Sequence, residues 1–385
     1  MALRQGVFRP REGTRNIPDP TPQSITTTGP MSTRASFASV TLRDVAGRSG
    51  VSITTVSRIL NGRESGVPIR DETRQRVLAV AAELGYKPNL LARGLRGSRS
   101  SLIGVIARDV SDPFHIQVLQ GVNEVTTARD YRLFLGHVDY RPDVALTYGS
   151  MFERSHADGI LILGDLAGGD EALADLTVQH RFVVGVSDRT ARISFPGVYS
   201  DSAEGTFVAL EHLWQLGHRR IICVFDPGTA DQRQRAELYA RFLGDRGETG
   251  SVASHQVSQP DPGPAYRLGR ELLAGHETTD APSAIFATSD TIAIGLLQAA
   301  YQAGVVVPDR LSIVGYDNID IAAFTIPPLT TVSQSGVEMG RTAATLLLDM
   351  IDQDRAATDI DDVVMAPTLV IRESTAAPYG GLGQP

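Results

Sequence analysis

TLRDVAGRSGVSITTVSRILN, running from Thr41 to Asn61, decides how the rest of this chain is read. Thr41 followed three places later by Asp44 is close to a capping box, so a helix can begin there. Leu42, Val45 and Ala46 give that helix one apolar face. Ser49-Gly50-Val51 breaks it. Ser52 is a second N-cap, and Val56, Ile59 and Leu60 line the following helix. Helices this short do not stand alone in water; they need a third to close a core. Asp71–Leu84, DETRQRVLAVAAEL, supplies it, apolar at Val77, Leu78, Ala81 and Leu84 and stopped by Gly85. Two short helices around a tight break, closed by a third, read as a helix-turn-helix, whose second helix lies in the DNA major groove.

Working outward, the stretch "TLRDVA…GVSITTVSRILNG…TRQRV…AAELGYKPNLLARGLR" resembles the DNA-binding segment of LacI/GalR-family transcriptional regulators. The likeness continues through LIGVI, SDPF, HADGILIL, HLWQLGHRRI, FATSD, GYDN, PPLTTV and IRESTA to about Ser374. Gly62–Ile69 is longer than in many family members, and Arg70 stands where a Ser cap is common. The resemblance implies an N-terminal all-α helix-turn-helix domain with a hinge helix. An α/β two-lobed core like that of periplasmic binding proteins then follows, with two parallel doubly wound sheets. Its expected divisions are a disordered leader at 1–39, the helix-turn-helix at 40–87, a hinge at 88–100, an effector-binding and dimerisation domain at 101–376, and a tail at 377–385. Lobe 1 is expected at about 101–199 plus 330–350, and lobe 2 at about 200–329 plus 351–376.

Charge supports that order. The 385 residues carry a net charge of −8, yet residues 1–100 hold 16 of the 36 Lys and Arg against 7 of the 44 Asp and Glu. One end is therefore attracted to DNA while the acidic remainder is not. The single cysteine, Cys223, excludes a disulfide framework and fits a reducing cytoplasm; in the apolar run Ile221–Phe225 it reads as an inert core thiol. No apolar stretch approaches a membrane span, and the N-terminus lacks the apolar region of a signal peptide. Residues 1–39, rich in Pro, Thr, Ser and Arg, show no periodicity, and Met31 is an alternative start. The tail TAAPYGGLGQP cannot form the extra heptad helix of tetrameric family members, so a dimer is expected.

From Ser101 onward, apolar runs alternate with helical patterns, as in parallel sheets with crossover helices. Strands are expected at Leu102–Ala107, Tyr131–Val138, Gly159–Leu163, Phe182–Val186, Arg220–Val224, Ser251–Val257, Ser283–Ala287 and Leu311–Gly315. Helices such as Phe207–Leu216, Ala265–Ala274 and Thr291–Ala303 lie between them. Trp214 and Met339 fall at helical spacing among apolar neighbours, as core residues do. By resemblance the chain crosses between lobes near Tyr199, near Leu329 and after Met350.

The resemblance assigns base contacts to Ile53, Thr54 and Arg58. An Arg can bond guanine O6 and N7 as a fork, and an Ile can meet a thymine methyl. Ser52, Thr55, Ser57 and Asn61 are short polar groups suited to phosphates, which position without specifying. In PNLLARGLR, Pro88–Arg96, the minor-groove hinge assigned by resemblance uses Asn89, Ala92 and Leu95, the leucine as a wedge. Effector binding, also by resemblance, falls to Asp112, Phe114, Arg235, Ser289, Asp290 and Asp317. The acidic position in VVGVSDR is Ser187 or Asp188. Carboxylates and a guanidinium at strand ends suit a polyhydroxyl ligand. The loop where several sugar-binding members carry an aromatic is here Ser258–Pro262, SQPDP, which keeps purines and other polar metabolites open. The implied partners are operator DNA, a sugar-like or other polar effector and a second copy of the chain, with no cofactor, metal or membrane. An exported sugar-binding protein would need a signal sequence and would have no use for a helix-turn-helix. An enzyme would need a phosphate loop, metal-ligand spacing or a nucleophile–base pair, and none is found in the sequence.

Overall fold

The computed structural model describes residues 40–60, 68–86, 99–165, 170–186, 195–248, 253–274, 281–355 and 360–379. Asn61, Asn89, Ala92, Leu95, Asp188, the 1–39 leader and most of the hinge lie outside them. The chain divides into two units, Met1–Pro88 and Asn89–Pro385.

In the first unit, α1 (Leu42–Ser49), α2 (Ile53–Leu60) and α3 (Asp71–Glu83) form where the caps place them. The Thr41 N–H donates to the Asp44 carboxylate at 2.8 Å, and Thr41 Oγ1 accepts from the Asp44 N–H at 3.4 Å. The Thr41 hydroxyl also donates to that carboxylate at 2.7 Å, and together with the Thr41 N–H it holds the Asp44 carboxyl below its usual range. Gly50 ends α1 at φ +68°, where a side chain would be strained. Ser52 Oγ caps α2 by accepting from the Thr55 N–H at 3.1 Å. Arg70 precedes α3 without a side-chain cap. Val45, Ala46, Val56, Ile59, Val77 and Ala81 make the core. Leu78 is not part of it, being 48% exposed; Val80 packs there instead. The buried stripe runs 77, 80, 81, 84, the spacing of one helix face, and Leu78 falls beside it.

The second unit alternates strands and helices. Its first sheet contains β1 (Leu102–Ala107), β2 (Arg132–His137), β3 (Gly159–Leu163), β4 (Val183–Val186), β5 (Gly197–Ser200) and β11 (Val363–Met365). Their order is β11-β5-β4-β3-β1-β2, parallel throughout, with Val105 level with Leu135 and Leu161. The second sheet contains β6 (Ile221–Phe225), β7 (Ala253–Gln256), β8 (Ala284–Ala287), β9 (Ser312–Asp317), β10 (Thr330–Ser333) and β12 (Thr368–Val370). Its order is β12-β10-β9-β8-β6-β7, with only β12 antiparallel. The helices are α4 (Pro113–Ala128), α5 (Pro142–Arg154), α6 (Asp170–Gln179), α7 (Ser202–Gln215), α8 (Ala230–Gly244), α9 (Pro262–Leu272), α10 (Asp290–Ala303) and α11 (Gly336–Gln353).

Four strands are absent from the sequence reading: β5, β10, β11 and β12. Each has three or four residues, too few to show a pattern. They correct the expected lobe boundaries. β10 belongs to the second sheet, so the crossing expected near Leu329 falls between Ser333 and α11. α11 packs on the first sheet through Met339, Ala343, Leu347 and Ile351. β11 also joins the first sheet, so the last crossing lies at Ala366–Pro367 and not after Met350. α11 approaches α4 closely enough that a Cβ on Gly340 would meet the Val118 carbonyl oxygen at 2.0 Å. Cys223 is buried in β6, and burial pushes its thiol pKa up. Trp214 packs against the second-lobe core.

Candidate functional site

On α2 the inward side chains are Val56 and Ile59. With those positions filled, Ile53 turns outward and is 39% exposed, and Thr54 and Ser52 stand in solvent beside it. Thr55, Ser57 and Arg58 are half-buried. Ser52 and Thr55 already share a hydrogen bond of 2.9 Å, so the cap fixes both hydroxyls before any phosphate arrives. The helix thus presents one apolar and several hydroxyl groups near its N-terminus, where backbone N–H groups favour anions.

In the second unit, parallel strands end in loops that face a cleft of about 570 Å³ between the lobes. Arg108 extends β1, and Asp112 caps α4 by accepting from the Phe114 N–H at 2.9 Å. Asp139 and Tyr140 follow β2 with φ of +51° and +58°; Asp317 and Asn318 end β9 at +108° and +54°. Such left-handed residues are strained unless held, and three of these four line the cleft. From the other side come Asp231, Gln232 and Arg235 of α8, the Gln259–Pro262 loop, Ser289 and Gln334.

The charges interlock across the lobes. Asp231 lies between two guanidinium groups, 3.5 Å from Arg108 Nη1 and 3.7 Å from Arg235 Nη2. Arg108 Nη2 is also 3.6 Å from Asp112, and Arg235 Nη1 is 3.8 Å from Asp317. Arg235 donates to the Thr288 carbonyl at 2.8 Å and lies 3.7 Å over the Tyr316 ring. Burial opposes the charge of Asp231, but Arg108 and Arg235 outweigh it and hold the carboxyl below its usual range. Burial also opposes the charge of Arg108, and Asp231 and Asp112 more than offset it. Asp317 goes the other way. Its burial wins over Arg235, aided by nearby Asp112, and raises its pKa well above the carboxylate range. Gln334 donates to Asp317 at 2.7 Å.

Of the residues assigned to effector binding, Asp112, Phe114, Arg235, Ser289 and Asp317 line this cleft. Asp290 does not. It is fully buried, accepting from the Ile319 N–H at 2.9 Å and the Thr331 hydroxyl at 2.5 Å, so it braces β9 and β10. Ser289, one residue earlier, is the α10 cap, accepting from the Ile292 N–H at 3.4 Å. Sequence reading misses Arg108, Tyr140, Asp231, Gln232 and Gln334. For Arg108 a signal existed, because it directly follows the buried run LIGVIA at a strand's carboxyl end. Asp231 likewise stands one helical turn before Arg235. Among the described residues no group of His, Cys, Asp or Glu is placed to hold a metal ion, and no helix is long and apolar enough to cross a membrane.

A three-helix DNA-reading unit followed by two parallel-sheet lobes around a charged cleft defines a DNA-binding transcriptional regulator. Comparison with known proteins gives the family. "Bacterial regulatory proteins, lacI family" matches residues 41–89, and "Periplasmic binding protein-like domain" matches 210–375. The HTH-type transcriptional repressor PurR of Erwinia tasmaniensis is 33% identical over 346 residues, 88% of this chain and 98% of PurR. The lac repressor dimer bound to operator and the anti-inducer ONPF aligns with a TM-score of 0.76 at 25% identity, over 88% of this chain and 100% of that one. A LacI-family regulator from Enterococcus faecium with bound ribose aligns with a TM-score of 0.64 at 26% identity, over 72% and 99%. The chain belongs to the LacI family of transcriptional regulators and is not an enzyme.

Proposed function

We propose that the chain is a homodimeric repressor whose operator affinity is set by a small polar effector, a sugar or sugar derivative, bound between the lobes. The observation that carries this reading is the cross-lobe charge cluster. Arg108 and Asp112 come from one lobe and Asp231, Arg235 and Asp317 from the other, so a ligand engaging both sets changes the relative stability of lobe orientations. Ile53, Thr54 and Arg58 read bases, Ser52, Thr55, Ser57 and Asn61 hold phosphates, and the segment with Asn89, Ala92 and Leu95 enters the minor groove. Dimerisation is supported by the lac repressor relative, which is a dimer on its operator, and by Phe324 and Ile326, 78% and 92% exposed in this chain. A second copy would cover such side chains.

Coupling between cleft and operator is reciprocal: each ligand shifts the affinity of the other by the same factor, typically about 5- to 150-fold. The test uses operator DNA selected by the protein itself from a random pool, with metabolites screened by thermal shift. Asp317→Asn should abolish the effector response while leaving operator affinity without effector nearly intact. A variant that still responds at saturating effector removes Asp317 from the site and leaves it a brace of the second lobe.

A further inference from the structure

The cleft holds more acidic than basic side chains. Asp109, Asp112, Asp139, Asp231, Asp261 and Asp317 line it, against the two guanidinium groups of Arg108 and Arg235. Both arginines are already engaged, shared among Asp112, Asp231 and Asp317 at 3.5 to 3.8 Å. Those separations exceed the roughly 2.7–2.9 Å of a charge-assisted hydrogen bond, so the ion pairs are loose. Asp231 is only 8% exposed, and its Oδ1 has no hydrogen-bond donor; Arg108 is 4% exposed, and its Nε has no acceptor. At the mouth, Asp139 on the first lobe and Asp261 on the second are exposed, and the one other basic side chain of the lining is His137, whose Nδ1 accepts from the Val110 N–H at 3.3 Å.

We propose that the effector is a polyol carrying a protonated amine, an amino-sugar-like cation, and that the cleft rejects sugar phosphates and carboxylates. The proposal rests on the reading of the cleft as the effector site and names the chemistry that site accepts. An ammonium group supplies three donors and one positive charge where carboxylate acceptors are in excess. The ring of Tyr140 adds an aromatic face that attracts cations; the Arg108 guanidinium carbon already lies 5.6 Å from its centroid. Hydroxyls of the same ligand both donate to Asp112 or Asp317 and accept from Arg108 or Arg235, as a polyol requires. An anion instead meets carboxyl groups in excess, and the two guanidinium groups of the lining are held by Asp112, Asp231 and Asp317. The exposed acids at the mouth extend the effect outward, attracting cations before contact.

The experiment measures thermal shift and Kd on the full chain with three matched sets. They are ribose, glucose and cellobiose; glucosamine, galactosamine and mannosamine; and ribose 5-phosphate and glucose 6-phosphate. An amino sugar should bind at least tenfold more tightly than its neutral parent, and the phosphates should not bind. The preference should shrink severalfold between 0.05 and 0.5 M salt, and again in the double variant Asp139→Asn, Asp261→Asn, whose exposed positions spare the core. Asp231→Asn should weaken the amino sugar more than tenfold. A neutral or phosphorylated sugar that binds best, and whose binding falls with Asp231→Asn, overturns the charge assignment and leaves the cleft reading standing. Binding indifferent to Asp231→Asn and Asp317→Asn, or no binding in any set, counts against both.

Discussion

The recognition helix and the cleft handle polar groups in opposite ways. On α2, Ser52, Ile53 and Thr54 are solvated, and the hydroxyl caps are satisfied within the helix itself. DNA can replace water there without disturbing the three-helix core. In the cleft, Arg108, Asp231 and Arg235 are 4%, 8% and 1% exposed and are held mainly by one another. Dehydrated charges of this kind depend on every partner, because losing one leaves another buried and uncompensated. The surface proposed to read DNA is thus separable from stability except at the Ser52 cap, whereas the proposed effector cleft is not.

That contrast can be broken most directly at Arg235. Arg235→Met should cost about 3–5 kcal/mol of stability, since it leaves Asp231 and Asp317 buried beside a missing cation. Urea unfolding that shows less than about 1 kcal/mol of loss would mean the cluster is solvated after all.

Asp290 sharpens the comparison through pH. Burial pushes its carboxyl up to about 7, so between its unfolded value near 3.8 and about 7 the native state binds more protons than the unfolded chain. Its contribution is therefore complete below pH 3.8 and is lost as pH rises through about 7, with a slope of up to roughly 1.4 kcal/mol per unit. Asp317, also raised by burial, acts in the same direction. Asp290→Asn should flatten the fall of Tm between pH 4 and 7; an unchanged profile would place the titration elsewhere.

On the DNA side the effects should be smaller and should appear in binding. Arg58→Ala is expected to cost roughly 1–3 kcal/mol at one operator base pair, measured against operators varied base by base. Equal losses on cognate and random DNA would make Arg58 a phosphate contact. Ser52→Ala should remove about 1 kcal/mol of stability through the α2 cap. Its loss of DNA affinity should be similar on all sequences, and a sequence-dependent loss would move Ser52 among the base readers.

Local order made the first unit legible. Thr41, Asp44, Gly50 and Ser52 act within four residues of themselves, so their caps and the φ of +68° at Gly50 follow from neighbours in the chain. The long buried strands of the second unit were legible for the same reason, as continuous apolar runs such as LIGVIA. Leu78 was misread because the periodic pattern admits two adjacent stripes, and only packing of α3 against α1 and α2 chose between them. β5, β10, β11 and β12 depend on partners far along the chain, as when β11 pairs with β5 across more than 150 residues. Their short sequences held no pattern to read.

The cleft divides along the same line. Asp112, Arg235, Ser289 and Asp317 were identified through motifs, but a motif names a position without saying which way a side chain faces. Asp290 shows the difference: it shares ATSD with Ser289, yet it turns into the β9–β10 junction, where Gly315 leaves room for its carboxylate. What the sequence determined was the order of units, the helix caps and the strand runs, because those forces act between near neighbours. What tertiary structure alone decided was that Arg108 of one lobe meets Asp231 of the other, 123 positions later, because charge pairing depends on distance in space.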